Sequence, residues 1–403
     1  MTESKRSIIP RRKIYRDVYG EDPSGGGHNI EGVATAITAF VGNTLRGPSN
    51  IPWAVNSYSE FEKNFSGTDD ESPLTNTVDD FFANGGYQAL IVRISKNDGS
   101  QEELPPDEKS YQAAFDALKQ VESFNLLCLP PYNATTDVDV EILRSALKLC
   151  LDCRAILIID PRSNWLVAAD VLSENKGLAN LGLAGHSTRN AAVFFPSVKR
   201  GRLTCRRKET ISVPCGAVAG VIARTDAQYG VWKAPAGVEA TIKNINGLNL
   251  SLTDHENNKL NSSGVNCLRS FSRIGPVIWG GRTLRGNDKH SDEYKYLSVR
   301  RLALFIEQSL FKGTQWAVFE PNSEPLWAQI RLNIGVFMHN LFRNGAFQGS
   351  TPSDAYFVKC DDETTVQNDI NLGVMTILIG FAPLKPAEFV VIKIQHLVGQ
   401  IEM

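Results

Sequence analysis

No stretch of the chain approaches ~18 consecutive apolar residues, the minimum for a helix that crosses a bilayer, so membrane insertion through a helix is not expected. The opening ten residues, Met1 to Pro10, carry basic groups but no apolar run of signal-peptide length, so the chain is expected to be made in the cytoplasm as a soluble protein. Neither sign of charge dominates. With 42 Lys plus Arg against 44 Asp plus Glu, the field of the whole molecule gives no reason to expect nucleic acid or an acidic membrane as a partner. Cysteine is too sparse and too irregular for a disulfide framework: the seven residues are odd in number and spread from Cys128 to Cys360, and buried thiols are expected. Cys150 and Cys153 have the spacing of a redox or zinc pair, but no second Cys or His pair stands at a matching distance.

Catalytic signatures are missing as well. The loop at Pro130 to Thr136 follows a strand and precedes a helix, yet it has neither a G-x-G-x-x-G turn nor a G-x-x-x-x-G-K-[ST] cradle, and Gly25 to Gly27 precedes no strand-to-helix turn carrying a Lys. Gly185 to Arg189 lacks the second glycine of a nucleophile elbow. The histidines at 28, 186, 255, 290, 339 and 396 form no H-E-x-x-H or paired spacing, and the acidic clusters at Asp69 to Glu71 and Asp361 to Glu363 lie among turn formers. With no nucleophile, base and oxyanion donor converging, the expectation is a protein that is not an enzyme and has no cofactor and no metal.

What is present is a chain of 403 residues, 42% hydrophobic, long enough for two or three cores. Ile14 to Tyr19 reads as a short strand on the Gly25 to Gly27 tether, and Val33 to Gly42 as a buried strand. Helices are predicted from Ser57, with Phe61 and Phe65 on one face, and over Thr77 to Ala83; a strand follows at Tyr87 to Ile94. Asn125 to Leu129, Val138 to Leu151 and Ala155 to Asp160 make the clearest strand-helix-strand unit, with a parallel pair.

Further on, Tyr296 to Phe311 is an amphipathic helix with Val299, Leu302, Phe305, Ile306 and Leu310 on one face and Arg300, Arg301, Glu307 and Gln308 elsewhere. A strand at Trp316 to Glu320 is expected next, then a helix capped near Ser323 and running to Phe342. Strands at Tyr356 to Lys359, Leu372 to Phe381 and Glu388 to His396 complete an α+β layer. The run Phe389 to Gln395 has strong β-propensity after Pro383 and Pro386, and an apolar strand at a chain end needs a partner edge.

Several segments resemble the tail sheath family of contractile phages, contractile bacteriocins and extracellular contractile injection particles. They are Tyr296 to Glu307 continuing through Gly313 to Asn322 and Leu326-Trp327, then Val221 to Asp226 with Gly230 to Ala236, Gly264 to Ser270 with Trp279 to Leu284, and Gly380 to Phe389. The family's usual Thr-Pro-Gly-Val-Tyr opening is replaced here by Ile9 to Tyr19.

The resemblance implies an outer α/β domain and an inner, tube-facing C-terminal α+β domain with exchanged terminal strands. It also implies stacked hexameric rings that polymerise helically around a rigid inner tube and contract to drive it through a target envelope. Implied partners are the chain itself, the inner tube protein, and baseplate and terminator or cap proteins, in a phage tail or phage-like particle assembled in the bacterial cytoplasm. On this basis the chain divides into an arm and tether at 1–27, an outer domain at 28–270, an inner domain at 271–387 and a second arm at 388–403.

Ile14, Tyr15, Val18 and Tyr19 at one end, and Phe389, Val391, Ile392 and Ile394 at the other, are expected to add strands to neighbouring subunits. Arg331, off the apolar stripe of its helix, and Arg343, beside the Asn344-Gly345 turn, are the candidate tube contacts. The competing readings are a small-molecule enzyme on the α/β region 138–160 and a passive helical shell subunit.

Overall fold

The computed structural model describes residues 28–66, 72–94, 107–133, 136–201, 209–318, 320–367, 370 and 374–386. In chain order the elements begin with β1 (Thr38–Gly42), β2 (Trp53–Val55), α1 (Tyr58–Phe65), α2 (Pro73–Ala83), β3 (Ala89–Arg93), α3 (Glu108–Leu118), β4 (Leu126–Cys128), α4 (Val140–Asp152) and β5 (Ile156–Ile159). They continue with α5 (Ala168–Val171), β6 (Ala191–Phe195), β7 (Val198–Arg200), β8 (Thr210–Ser212), α6 (Cys215–Tyr229), β9 (Gly247–Leu248), α7 (Asp254–Ser262), β10 (Val265–Phe271) and β11 (Gly275–Ile278). The C-terminal elements are α8 (Leu297–Gly313), α9 (Glu324–Arg343), α10 (Pro352–Ala355), β12 (Tyr356–Lys359) and β13 (Leu378–Phe381).

Side-chain alternation along the strands explains the main sheet. In β1, Ala39 and Val41 face one core while Phe40 faces another; in β5, Leu157 and Ile159 oppose Ile156 and Ile158 in the same way. A strand buried on both faces must be apolar throughout, which is the composition of a parallel sheet covered by helices on each side. The sheet has eight strands in the order β11-β10-β6-β5-β4-β1-β3-β2. Its interior pairs are parallel, and β2 and β11 pair antiparallel at the two edges. The strand-helix-strand unit legible in the sequence is β4-α4-β5, with Leu126 to Cys128 in register with Ile156 to Ile158.

One face carries α3, α4, α5 and α7, and the other α1, α2, α6 and the first half of α8. Local capping starts these helices where the sequence signals them: the Ser57 hydroxyl accepts from Glu60 N at 3.2 Å, the Asp107 carboxylate from Ser110 N at 3.0 Å and the Asp139 carboxylate from Glu141 N at 3.1 Å. A small sheet, β8-β7-β9, lies at the carboxyl end of β6, where β7 follows β6 after two residues.

The C-terminal layer has its own core. Leu302, Phe305, Ile306 and Leu310 of α8 meet Leu326, Ile330, Ile334, Phe337, Met338 and Leu341 of α9, and the antiparallel ribbon β12-β13 packs Tyr356, Val358, Ile379 and Phe381 against them. Helix α8 therefore belongs to two cores, with Leu297 and Leu304 facing the main sheet. This corrects the expected polar face of α8: the side chain of Arg301 is 3% exposed and Gln308 is buried, because the helix is covered by both layers.

A second expectation fails between α8 and α9. The segment foreseen as a strand at 316–320 makes a 3-10 turn over Gln315–Ala317, closed by Ala317 N to Thr314 O at 3.0 Å. Trp316 is taken up there by a ring stack instead of a strand ladder, 4.2 Å from the His28 ring. The strand expected from Leu372 begins at Leu378 among the described residues.

Candidate assembly surface

The described chain begins on the C-terminal layer. His28 stacks on Trp316, Ile30 and Val33 pack on the same core, Val33 N donates to Ser309 Oγ at 3.1 Å, and Thr35 O accepts from Arg301 Nη2 at 2.9 Å. Residues 28–35 thus run along α8 before entering the main sheet as β1. Gly313 permits this close passage, since a Cβ there would meet the side chain of Ile30 at 2.7 Å.

The other end of the described chain leaves from the same layer. After β13, Ala382 N donates to Ala355 O and Gln348 N to Ala382 O, each at 2.8 Å, and Phe347 bridges Pro383. Both candidate arms are therefore continuous with a single structural unit. The arm residues themselves, Ile14, Tyr15, Val18, Tyr19, Phe389, Val391, Ile392 and Ile394, lie outside the described residues.

The ribbon between those exits has an unburied side. Phe357 is 53% and Leu378 is 50% exposed, and the Phe357 ring lies over Gly380, where a side chain would collide with it. A two-stranded ribbon is marginal by itself and gains stability from further strands or a covering layer.

The two candidate tube contacts are placed differently. Arg331 donates from Nη2 to Glu324 Oε1 at 2.5 Å and from Nη1 to the carbonyl of Cys360, which ties the start of α9 to the end of β12. Arg343 is exposed at the last turn of α9. That turn ends in a Schellman-type arrangement, Ala346 N to Leu341 O at 3.0 Å and Gly345 N to Phe342 O at 2.9 Å, with Gly345 at φ 78°. Between the two arginines the outer side of α9 shows Leu332, 65% exposed, and Val336, 43% exposed.

Elsewhere a cavity of about 520 Å³ opens at the carboxyl ends of β4, β5 and β6, the customary ligand position of a parallel sheet. Asp160, at the exit of β5, lines it, and burial pushes the carboxyl up to about 7 although Cys215 donates to it. On the far wall Arg200 is shared among Asn76, Asp79 and Asp80. Among the described residues no group of three metal-ligating side chains occurs, and no helix is long and apolar enough to cross a membrane.

The family model for the phage tail sheath protein central domain matches residues 106–284, and that for the phage tail sheath C-terminal domain matches residues 289–396. The chain belongs to the contractile tail sheath family. Among sheath relatives, the tail sheath protein of Vibrio phage KVP40 is 24% identical over 179 residues, 44% of this chain and 25% of that protein. A prophage major tail sheath protein of Pseudomonas aeruginosa strain UCBPP-PA14 is 24% identical over 270 residues, 65% of this chain and 62% of that one. The matches thus span about a quarter and about three fifths of these two relatives' own lengths.

Solved sheath structures align more completely. The helical sheath of the anti-feeding prophage in its contracted state superposes with a TM-score of 0.73 at 26% identity, over 95% of this chain and 99% of that one. The contracted sheath complex of the extracellular contractile injection system PVC gives a TM-score of 0.75 at 25% identity, over 96% and 99%.

The residues that hold the sheath layer together were only partly legible. Trp316 lies inside the stretch that carries the family resemblance, but nothing in its sequence neighbourhood points to His28, 288 positions away in the numbering. Arg301 and Asp226 likewise sit in two separate resembling segments and meet only in the fold.

Proposed function

We propose that this chain is the structural subunit of a contractile sheath, polymerising as stacked hexameric rings around a rigid inner tube and shortening to drive that tube through a target envelope. The observation that carries the reading is the alignment of nearly the whole chain with two particle sheaths solved in the contracted state. Head-to-tail contacts that do not close produce such helical tubes. In this reading the main-sheet body, which takes in β11 beyond residue 270, forms the outer domain, and the C-terminal layer, with residues 28–35 laid along it, the inner one, while 1–27 and 388–403 are arms that add strands to neighbouring subunits. The departure of both arms from the C-terminal layer and the half-covered ribbon β12-β13 support that arrangement.

The exposed side of α9 faces the tube, with Arg343 reaching acidic groups and Arg331 holding the helix to β12; such rim charges set register and association rate more than affinity. The chain acts without catalysis or cofactor. Its partners are further copies of itself, the inner tube protein, and baseplate and cap proteins, in a phage-tail-like particle assembled in the bacterial cytoplasm.

Negative-stain microscopy of the chain produced together with its tube protein tests this. Striated tubes of the native chain are expected, and monodisperse small particles would overturn the sheath reading. In the same preparation Arg331→Glu with Arg343→Glu is expected to lose assembly around the tube, and normal tubes from that variant would remove the tube contact from α9.

A further inference from the structure

Residues 28–35 touch α8 along a single inclined row. Thr35 O accepts from Arg301 Nη2 at 2.9 Å, Val33 N donates to Ser309 Oγ at 3.1 Å, and the side chain of Ile30 lies over Gly313. Arg301, Ser309 and Gly313 stand eight and four positions apart, on one of the i±4 ridges of a helix. The segment therefore runs antiparallel to α8 and ends, at His28, against the ring of Trp316.

The lengths are comparable. From Arg301 to Gly313 the helix rises about 18 Å at about 1.5 Å per residue, and the chain from Ile30 to Thr35 reaches about 17–18 Å when extended. The segment thus has little slack between its contacts, and a slip of one residue would carry Val33 N away from Ser309 and His28 away from Trp316. Trp316 is itself braced. Its 3-10 turn closes through Ala317 N to Thr314 O at 3.0 Å, and Thr314 is tied back to Leu310 O by its N at 2.9 Å and its Oγ1 at 2.8 Å. The His28 and Trp316 rings lie 4.2 Å apart and 12° from parallel, and stacked rings add to what burial alone contributes.

We propose that Trp316 is a positioning residue for assembly, whose stack with His28 fixes the point from which the N-terminal arm leaves the subunit. The inference rests on the reading of residues 1–27 as an arm that pairs with a neighbouring subunit. Strand addition yields a main-chain ladder only when the strand arrives in register. An arm whose root wanders has more arrangements to lose on pairing, so it joins more weakly than one held in place. Holding the root also couples neighbour to body. Movement of a neighbouring subunit acts on α8 without first taking up slack in residues 28–35, and α8 belongs to both cores.

Hydrogen exchange of the purified full chain, together with microscopy of the chain produced with its tube protein, tests this. His28→Ala removes the stack from its exposed partner and leaves the core intact. Trp316→Ala removes it from the turn, and Trp316→Phe keeps a ring there. Both alanine variants are expected to speed exchange of the amides of residues 29–35 by about tenfold or more, with the main-sheet amides unchanged. They are also expected to give fewer and shorter tubes than the native chain, while Trp316→Phe keeps native exchange and native tubes. Unchanged exchange in His28→Ala, faster exchange with native tube yield and length, or a Trp316→Phe variant as defective as Trp316→Ala would overturn the proposal. A native chain that forms no tubes would remove the sheath reading itself, and this inference with it.

Discussion

Arg301 occupies a helix whose spacing in the sequence divides into an apolar and a charged side, yet the guanidinium forks onto Asp226 of α6 in an almost water-free place. Nη1 reaches Oδ1 at 2.8 Å and Nη2 reaches Oδ2 at 2.5 Å, with side chains 3% and 5% exposed. A second bond from Nη2 to Thr35 O adds the segment that leads into β1. Two charges buried this way contribute little net stability as a pair, but each leaves the other stranded when removed. Arg301→Met is therefore expected to destabilise the fold by about 3–5 kcal/mol, and adding Asp226→Leu to recover most of that loss. Urea unfolding midpoints of the two variants measure it, and equal midpoints for the native chain and the single variant would show that the pair holds nothing. Periodicity could not have found this contact. It assigns Arg301 to a helical face correctly, but only the second layer makes that face an interior.

At the scale of elements, the sequence was most readable where one face meets water and least readable where none does. The α1 and α4 boundaries follow from a capping residue and a one-sided apolar stripe. Helix α6 has neither: nearly every residue from Cys215 to Ala223 is buried, so it shows no periodic contrast to detect. Its small residues have a packing reason. A Cβ at Gly216 would strike the Thr77 carbonyl and one at Gly220 the Phe81 carbonyl, so α2 and α6 approach backbone to backbone through these two positions. Gly220→Leu is expected to force the helices apart and lower stability by about 1–3 kcal/mol or more, read as a drop in thermal midpoint. A variant as stable as the native chain would mean that α2 can slide without cost. The strand expected around Trp316 failed for a complementary reason: β-propensity was present, but no neighbouring strand edge lies beside it among the described residues, and His28 offers the ring a flat partner instead.

For the whole molecule, the resemblance in the second half of the chain led to the family, and the parallel-sheet body was legible in the β4-α4-β5 unit, while the sheet order was not. The order places β1 between β3 and β4 and sends the later strands outward to β10 and β11, a choice made by contacts far apart in sequence. In the proposed assembly the arms are the feature on which joining turns. Removing residues 1–20, or 389–403, is expected to leave a folded, soluble body that forms no tubes, and inserting a few residues near Gly26 to permit tubes that contract poorly, because the tether would no longer transmit the movement between subunits. Microscopy and sedimentation of each variant decide this, and normal contracting tubes after either deletion would refute the interlocking arms.

The clamp between Thr35 and Arg301 joins positions 266 residues apart. At typical synthesis rates a ribosome takes roughly 15–50 s to cover that distance. During that interval β1 has its neighbours β3 and β4, but the layer from which both chain ends depart does not yet exist. In the proposed assembly a nascent subunit is thus unable to complete its joining surface until its body is nearly finished. On that proposal birth order along the message separates folding from polymerisation, and subunits released one by one become competent to join only when they are whole.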